Sequence, residues 1–197
     1  MAKAVTVLVA GCTFLLGTVA VPAATAAEVP EFTAESVTYR EGGTPGKTLT
    51  LHMGPEGHRL ENIPPRGITL IAPAAETKRW MLDPDAQVYA VDASGGKGDR
   101  LGGLLAHEPC KGFPQAERLG TEALHGYTVA KWRCRHPDFG TVTQWFAPRL
   151  ATVIKDRSAA GEVQELRKIQ EGPQPAHLFR FQQRESWKQV PVIQLFR

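Results

Sequence analysis

Two histidine–cysteine pairs are the residues of this chain best placed to do chemistry. His107 lies three positions before Cys110, and His136 lies two positions after Cys134. Two thiolates and two imidazoles can hold zinc in a tetrahedral site. In an oxidising compartment, the same two cysteines form a disulfide instead, which removes both sulfur ligands. The compartment therefore decides between a disulfide and a metal site. Unpaired or redox-active thiols are a third outcome, although the sequence has no Cys-x-x-Cys motif.

The N-terminus predicts that compartment, because it has the three zones of a cleavable secretory signal. Lys3 supplies the positive charge, residues 4–21 are uncharged and apolar or small, and small residues surround the expected cleavage site. We predict cleavage after Ala26, with cleavage after Ala27 as the alternative. Residues 1–26 would then be the signal peptide, and residues 27–197 a single periplasmic or secreted domain.

Two other fates of the N-terminus compete with cleavage. The uncharged stretch is near the lower length limit of a spanning helix, so it could remain as a membrane anchor. Val9-Ala10-Gly11-Cys12 also looks like a lipobox, in which Cys12 would carry the lipid. The residues that follow Cys12 are still apolar, whereas a lipoprotein normally turns polar there. We expect cleavage to prevail over both alternatives, which leaves no stable transmembrane segment.

Removal of the signal leaves Cys110 and Cys134 as an even pair, which favours a disulfide over zinc. The bond would close a loop of about 25 residues, for which chain entropy predicts about 3.5 kcal/mol of stabilisation. The whole chain has 23 Lys and Arg against 20 Asp and Glu, a net charge of +3. So weak and dispersed a charge argues against nucleic-acid binding.

Motifs for catalysis are weak. The segment around Ser94 resembles a nucleophile elbow but lacks the glycine two positions before the serine. The glycines that follow do not complete a dinucleotide fingerprint. Asp83 and Asp85 flank a proline, a pattern more typical of a turn than of a calcium site. We therefore predict that the protein is not an enzyme and that it binds no cofactor and no metal.

Hydrophobic residues recur with a period of two, the pattern of half-buried strands, and Gly, Pro or Asp close most runs. We predict strands at 32–40, 47–53, 79–83, 87–92, 127–134, 141–147, 150–157 and 162–170. We expect a loop over 54–65, short helices near 99–105 and within 173–179, and an edge strand or loose tail over 186–197 because of Pro191. The fold class is mainly β, built on an antiparallel sheet.

The C-terminal half also resembles a known family. Gly120-Thr121-Glu122 and Gly126-Tyr127 are followed by a basic strand ending in cysteine, by Thr-Gln-Trp-Phe-Ala-Pro at 143–148, and by Gly-Pro-Gln-Pro-Ala-His-Leu-Phe at 172–179. Over about residues 116–181, this plan is similar to exported bacterial proteins related to the lipoprotein carrier LolA, and most of all to an uncharacterised periplasmic branch. The resemblance implies an antiparallel sheet curled into a half-barrel, with short helices in its concave face. Several LolA-like proteins bind lipids there.

A curled sheet with a partly filled hollow is a natural site for an apolar ligand. We predict Trp80, Trp132 and Trp145 as candidates to line that cavity, with sheet packing as the alternative for each. The expected function is a non-catalytic periplasmic binding or carrier module for a lipid or other apolar ligand. The alternative is an envelope protein–protein interaction module with a fully packed core. The basic residues Arg180, Arg184, Lys188 and Arg197 either steer toward anionic lipid head groups or are ordinary solvated charges.

Overall fold

A computed structural model describes residues 29–93, 104, 106–138 and 140–197. The predicted signal peptide and Cys12, the segment around Ser94, and nearly all of the helix expected at 99–105 lie outside these residues. In the described part of the chain, no helix is long and apolar enough to cross a membrane.

The described residues form one twelve-stranded sheet. Its strands are β1 (Phe32–Arg40), β2 (Leu49–Gly54), β3 (Gly57–Ile63), β4 (Ile68–Pro73), β5 (Arg79–Asp83), β6 (Val88–Asp92), β7 (Gln115–Leu124), β8 (Tyr127–His136), β9 (Gly140–Ala147), β10 (Thr152–Arg157), β11 (Glu162–Glu171) and β12 (Lys188–Gln189). Short 3-10 helices span Pro148–Leu150, Ala176–Phe179 and Val192–Phe196. The mainly β, curled and open sheet predicted from the sequence is confirmed.

The order of the strands is β12-β6-β5-β4-β3-β2-β1-β11-β10-β9-β8-β7. Neighbours are antiparallel, except that β12 pairs with β6 in parallel. Two meanders, β1–β6 and β7–β11, therefore meet where β1 pairs with β11. The predicted edge position of the C-terminal tail is confirmed, because β12 is the outermost strand beyond β6.

The loop predicted over residues 54–65 is wrong, because β3 occupies most of it. Pro55 and Glu56 make the turn, and β3 pairs with β2 from Gly57 onward. Gly57 is needed there: its φ is +136°, and a Cβ atom would collide with the carbonyl oxygen of Ala72. Leu60 is the buried hydrophobe of the strand, so the alternation that marks a strand is too sparse to detect. The apolar strand β4, which follows, also has no counterpart among the predicted strands.

The two faces of β2–β6 are covered by different parts of the chain. We call the face that carries Leu51, Leu60 and Leu70 the inner face, since it belongs to the main hydrophobic core. Leu104, from the connection between β6 and β7, is 1% exposed within this core. The backbone N–H of Val153 donates to the carbonyl of Ala106, 3.1 Å away, so the same connection is tied to β10.

The outer face of this half carries Ile71, Leu82 and Tyr89, and residues 172–187 cross it. The ring of Phe179 packs on Gly54, whose missing side chain leaves the space that the ring fills. Farther along, Phe181 stacks on Trp80 with ring centroids 4.7 Å apart. The single helical turn predicted within 173–179 is confirmed at Ala176–Phe179. This crossing segment brings the tail to β6, where β12 adds to the sheet.

Candidate functional site

A cleft of about 520 Å³ opens beside the β2–β3 turn and the end of β4. We call it the inner cleft, because Met53 and Ala72 connect it to the core of the inner face. Its polar wall is supplied by His58, Glu76, Thr77, Arg79 and His107. Its volume is within the range of sites that hold small ligands, and it joins apolar surface to a few polar groups.

The polar wall carries one buried cation and one uncharged imidazole. Arg79 is 8% exposed and forms an ion pair with Asp92. Burial lowers the pKa of His58 to about 4, with further lowering by the positive charges of Arg79 and His107. His58 is therefore neutral near pH 7 and can donate or accept a hydrogen bond without bringing a charge into the cleft. Such a wall suits the polar end of an amphiphile, and the apolar wall suits its tail.

Cys110 and Cys134 form the disulfide that the sequence favours, with their Cα atoms 5.2 Å apart. The side-chain oxygen of Gln144, a residue 1% exposed, accepts a 2.7 Å hydrogen bond from the backbone N–H of Cys110. Among the described residues, no group of three or more His, Cys, Asp or Glu side chains is placed to hold a metal ion. The disulfide indicates an extracytoplasmic protein.

Trp132 and Trp145, predicted as cavity residues, are not brought together. In the pairing of β8 with β9, Trp132 lies opposite Gln144, whereas Trp145 lies opposite Lys131. Because successive side chains alternate across a sheet, the two tryptophans point to opposite faces. Trp145 is 5% exposed, and its ring lies about 5 Å from the ammonium groups of both Lys131 and Lys155. These contacts amount to cation–π packing within the protein itself.

Trp80 belongs to the outer face, under Phe181, and so lies on the opposite side of the sheet from the inner core. None of the three tryptophans is among the described residues that line the inner cleft. Their role as ligand contacts stays a prediction. Sequence patterns did not single out His58 or Arg79, because a histidine and an arginine inside strands have no spacing motif. His58 and Arg79 come together because β3 and β5, the strands that carry them, pair with β4 on either side.

A convergent group of titratable side chains surrounds Glu165, on β11. Its carboxylate accepts hydrogen bonds from Arg167 (2.7 Å), Tyr39 (2.8 Å) and the ring of His125 (2.9 Å), and Lys155 lies 3.6 Å away. Burial alone would raise the pKa of Glu165, but these donors and the charge of Lys155 lower it to about 2. The described lining of the inner cleft includes none of these five residues. The carboxylate is therefore held by four side chains of the protein itself.

No protein-family model and no curated protein matches this chain. Solved structures do match it. An uncharacterized conserved protein from Thermus thermophilus is 10% identical over 82% of this chain and 91% of its own, with a TM-score of 0.55. MucB is 12% identical over 74% of this chain and 55% of its own, with a TM-score of 0.51. The chain shares its fold with these two proteins.

The likeness is one of fold alone at these identities. A LolA superfamily protein, NE2245 from Nitrosomonas europaea, is also matched at 12% identity over 78% of this chain and 91% of its own, but its TM-score is only 0.38. The chain spans about a third of the length of PNGF-II (32%) and about half that of MucB (55%). The shared fold thus provides the framework, and function must be argued from the residues of this chain.

Proposed function

We propose that the mature chain is a non-catalytic binding or carrier module, in the periplasm or outside the cell, for a lipid or other apolar ligand. The inner cleft is the observation that carries this proposal. The apolar surfaces of Met53 and Ala72 would take the tail of the ligand. The buried Arg79 and the neutral His58 would hold its polar end. Met53 and Ala72 belong both to the lining of the cleft and to the main core, which places apolar surface at the base of the cleft.

Recovery of a bound ligand tests this function. The protein purified from its native envelope is expected to carry a lipid-sized molecule, visible by native mass spectrometry and by solvent extraction. Ala72→Phe places a ring inside the cleft and is expected to abolish recovery of that molecule. Ala160→Phe, in the exposed turn before β11, adds the same ring elsewhere and should leave recovery unchanged. Ligand-free wild-type protein, or equal recovery with Ala72→Phe, would contradict the proposal.

Another function, a protein-interaction module, is supported by β7, the outermost strand of the sheet among the described residues. The outermost strand β7 is ten residues long, and all but its last residue are exposed. Leu119, one of the large exposed hydrophobic residues, lies on it. An unpaired edge of this length is a template for strand addition by another chain. MucB, which is similar in fold, has been solved in complex with MucA(peri).

A proline can block that edge without disturbing the sheet. Leu124 and Tyr127 close the β7–β8 hairpin around His125 and Gly126. The N–H of Leu124 therefore faces β8, and along β7 successive N–H groups point alternately toward β8 and away from it. The N–H of Thr121 then points away from β8. We expect Thr121→Pro to keep the melting temperature within a few degrees and to abolish capture of an envelope partner. Glu122→Pro, whose N–H faces β8, should instead destabilise the fold. Unchanged capture by Thr121→Pro would eliminate strand addition at β7.

A further inference from the structure

A second cleft, of about 360 Å³, lies on the outer face between β3–β5 and the crossing C-terminal segment. We call it the outer cleft. Ile71 and Leu82 form its floor and are 1% and 7% exposed. The aromatic side chains of Phe181 and Trp187 form part of its wall. Since the sheet separates this cleft from the inner cleft, it is a different site from the one proposed above.

Basic side chains gather in the outer cleft. Arg59, Arg180, Arg184 and His177 all line it, and the described lining contains no aspartate or glutamate. Phosphate oxygens accept hydrogen bonds from guanidinium groups with good geometry, often two at a time. The combination of arginines with an aromatic wall and an apolar floor therefore selects an anion that also carries a ring or a short apolar group.

The three arginines differ in how far their charge is already used. Arg59 holds Glu61 at 2.6 Å and donates to the carbonyl of Leu178. Arg180 pairs with Glu56 at 3.4 Å, but both side chains are about half exposed or more, so this pair is weak. Arg184 is exposed and has no ion pair among the described residues. Arg184, helped by Arg180, is thus the group best able to receive an incoming anion.

We propose that the outer cleft binds an organic phosphate, with Arg184 and Arg180 on the phosphate and Trp187 and Phe181 against its organic part. Both a soluble phosphate ester and a lipid phosphate head group present this chemistry. Arg180 and Arg184 lie in the segment that crosses the outer face, close to Phe181 and Trp187 in sequence, and this is why arginine and aromatic side chains line the same cleft. The chain must bring Phe181 down onto Trp80, and the arginines on either side of that anchor remain at the rim.

Calorimetric titration of the full mature chain tests the proposal with four probes. Phenyl phosphate carries both the ring and the anion, whereas phenol and inorganic phosphate each carry one of them. Dihexanoyl phosphatidic acid, used below its micelle concentration, represents a lipid head group. We expect saturable binding of phenyl phosphate or of the phosphatidic acid at least about tenfold tighter than that of phenol and of inorganic phosphate. The tighter of the two identifies the source of the phosphate.

Two neutralising variants localise the binding. Arg184→Gln is expected to weaken phenyl phosphate binding about tenfold, the loss typical of one charge-assisted hydrogen bond, and Arg180→Gln should weaken it less. Lys188→Gln removes another exposed cation, which does not line the cleft, and should change nothing. Ala72→Phe, in the inner cleft, should also leave this binding unchanged, which separates it from the carrier function. The proposal would be overturned by equal losses in Arg184→Gln and Lys188→Gln, or if neither phenyl phosphate nor the phosphatidic acid bound better than phenol and inorganic phosphate.

Discussion

Replacement of Glu165 by alanine is expected to lower the free energy of unfolding by about 2–4 kcal/mol. The carboxylate is 3% exposed and receives hydrogen bonds from Arg167, Tyr39 and His125. Its removal leaves the positive charges of Arg167 and Lys155 beside each other without their shared anion. Both cations reach solvent in part, so the loss is smaller than for a fully buried pair. Urea denaturation at pH 7 measures it.

Glu165→Gln removes the charge but keeps one of the two acceptor oxygens, because the amide nitrogen can only donate. The pKa of Glu165 in the folded protein is about 2, below its ordinary value of 4.5. The stabilisation is therefore fully present above pH 4.5 and is lost as the pH falls from there toward 2. In Glu165→Gln, the component of acid destabilisation that comes from this carboxylate should disappear.

Glu117→Gln is the matched control for both variants. Glu117 pairs with Arg133 at 3.0 Å, but its side chain is 55% exposed. Such surface pairs contribute less than about 1 kcal/mol. A loss in Glu165→Ala no larger than in Glu117→Gln would mean that the group around Glu165 does not hold β1, β10 and β11 together.

The strands that could be predicted from the sequence are those whose alternation is carried by several large side chains. On β8 and β9, apolar and polar residues alternate over most of the strand, and the predicted bounds lie within about two residues of the observed ones. On β3, Leu60 alone is deeply buried among His58, Arg59 and Glu61. Its place in the sheet comes from pairing with β2 and β4 on both sides. Long-range pairing of this kind leaves little trace in local periodicity.

The candidate sites also divide into features that a local sequence pattern predicts and features that depend on long-range pairing. The cysteine pair could be predicted because two cysteines are left once the expected signal is removed, and such a pair in an extracytoplasmic chain has few alternatives. The lining of the clefts could not, since His58 and Arg79 meet only when β3 and β5 flank β4. The tryptophans were a natural choice for a cavity, yet Trp80 is covered by Phe181, which comes from a segment far along the chain. Which large side chain is covered by the protein itself depends on the path of that segment.

The disulfide provides the second large effect, because it fixes the connection between β6 and β7 as well as the edge hairpin. Cys134 belongs to β8, and Cys110 follows Leu104 and Ala106, which lie against the core and β10. Reduction of the wild type is expected to cost about 3.5 kcal/mol, the chain-entropy value for a loop of about 25 residues. Cys110→Ala/Cys134→Ala should lose at least as much. Urea denaturation with and without a reductant measures both losses.

The double variant is also the control, because the reductant should not change its stability further. Hydrogen exchange gives a local test: the N–H of Cys110, bonded to Gln144, should lose protection on reduction, while that of Leu166, at the centre of β11, should lose less. Zinc added to the reduced wild type should not restore the lost stability, since the described residues bring no third and fourth ligand to the two sulfurs. Restoration by zinc would revive the metal site that the histidine–cysteine spacing allows, and would mean that His107 and His136 can reach the sulfurs once the disulfide is broken.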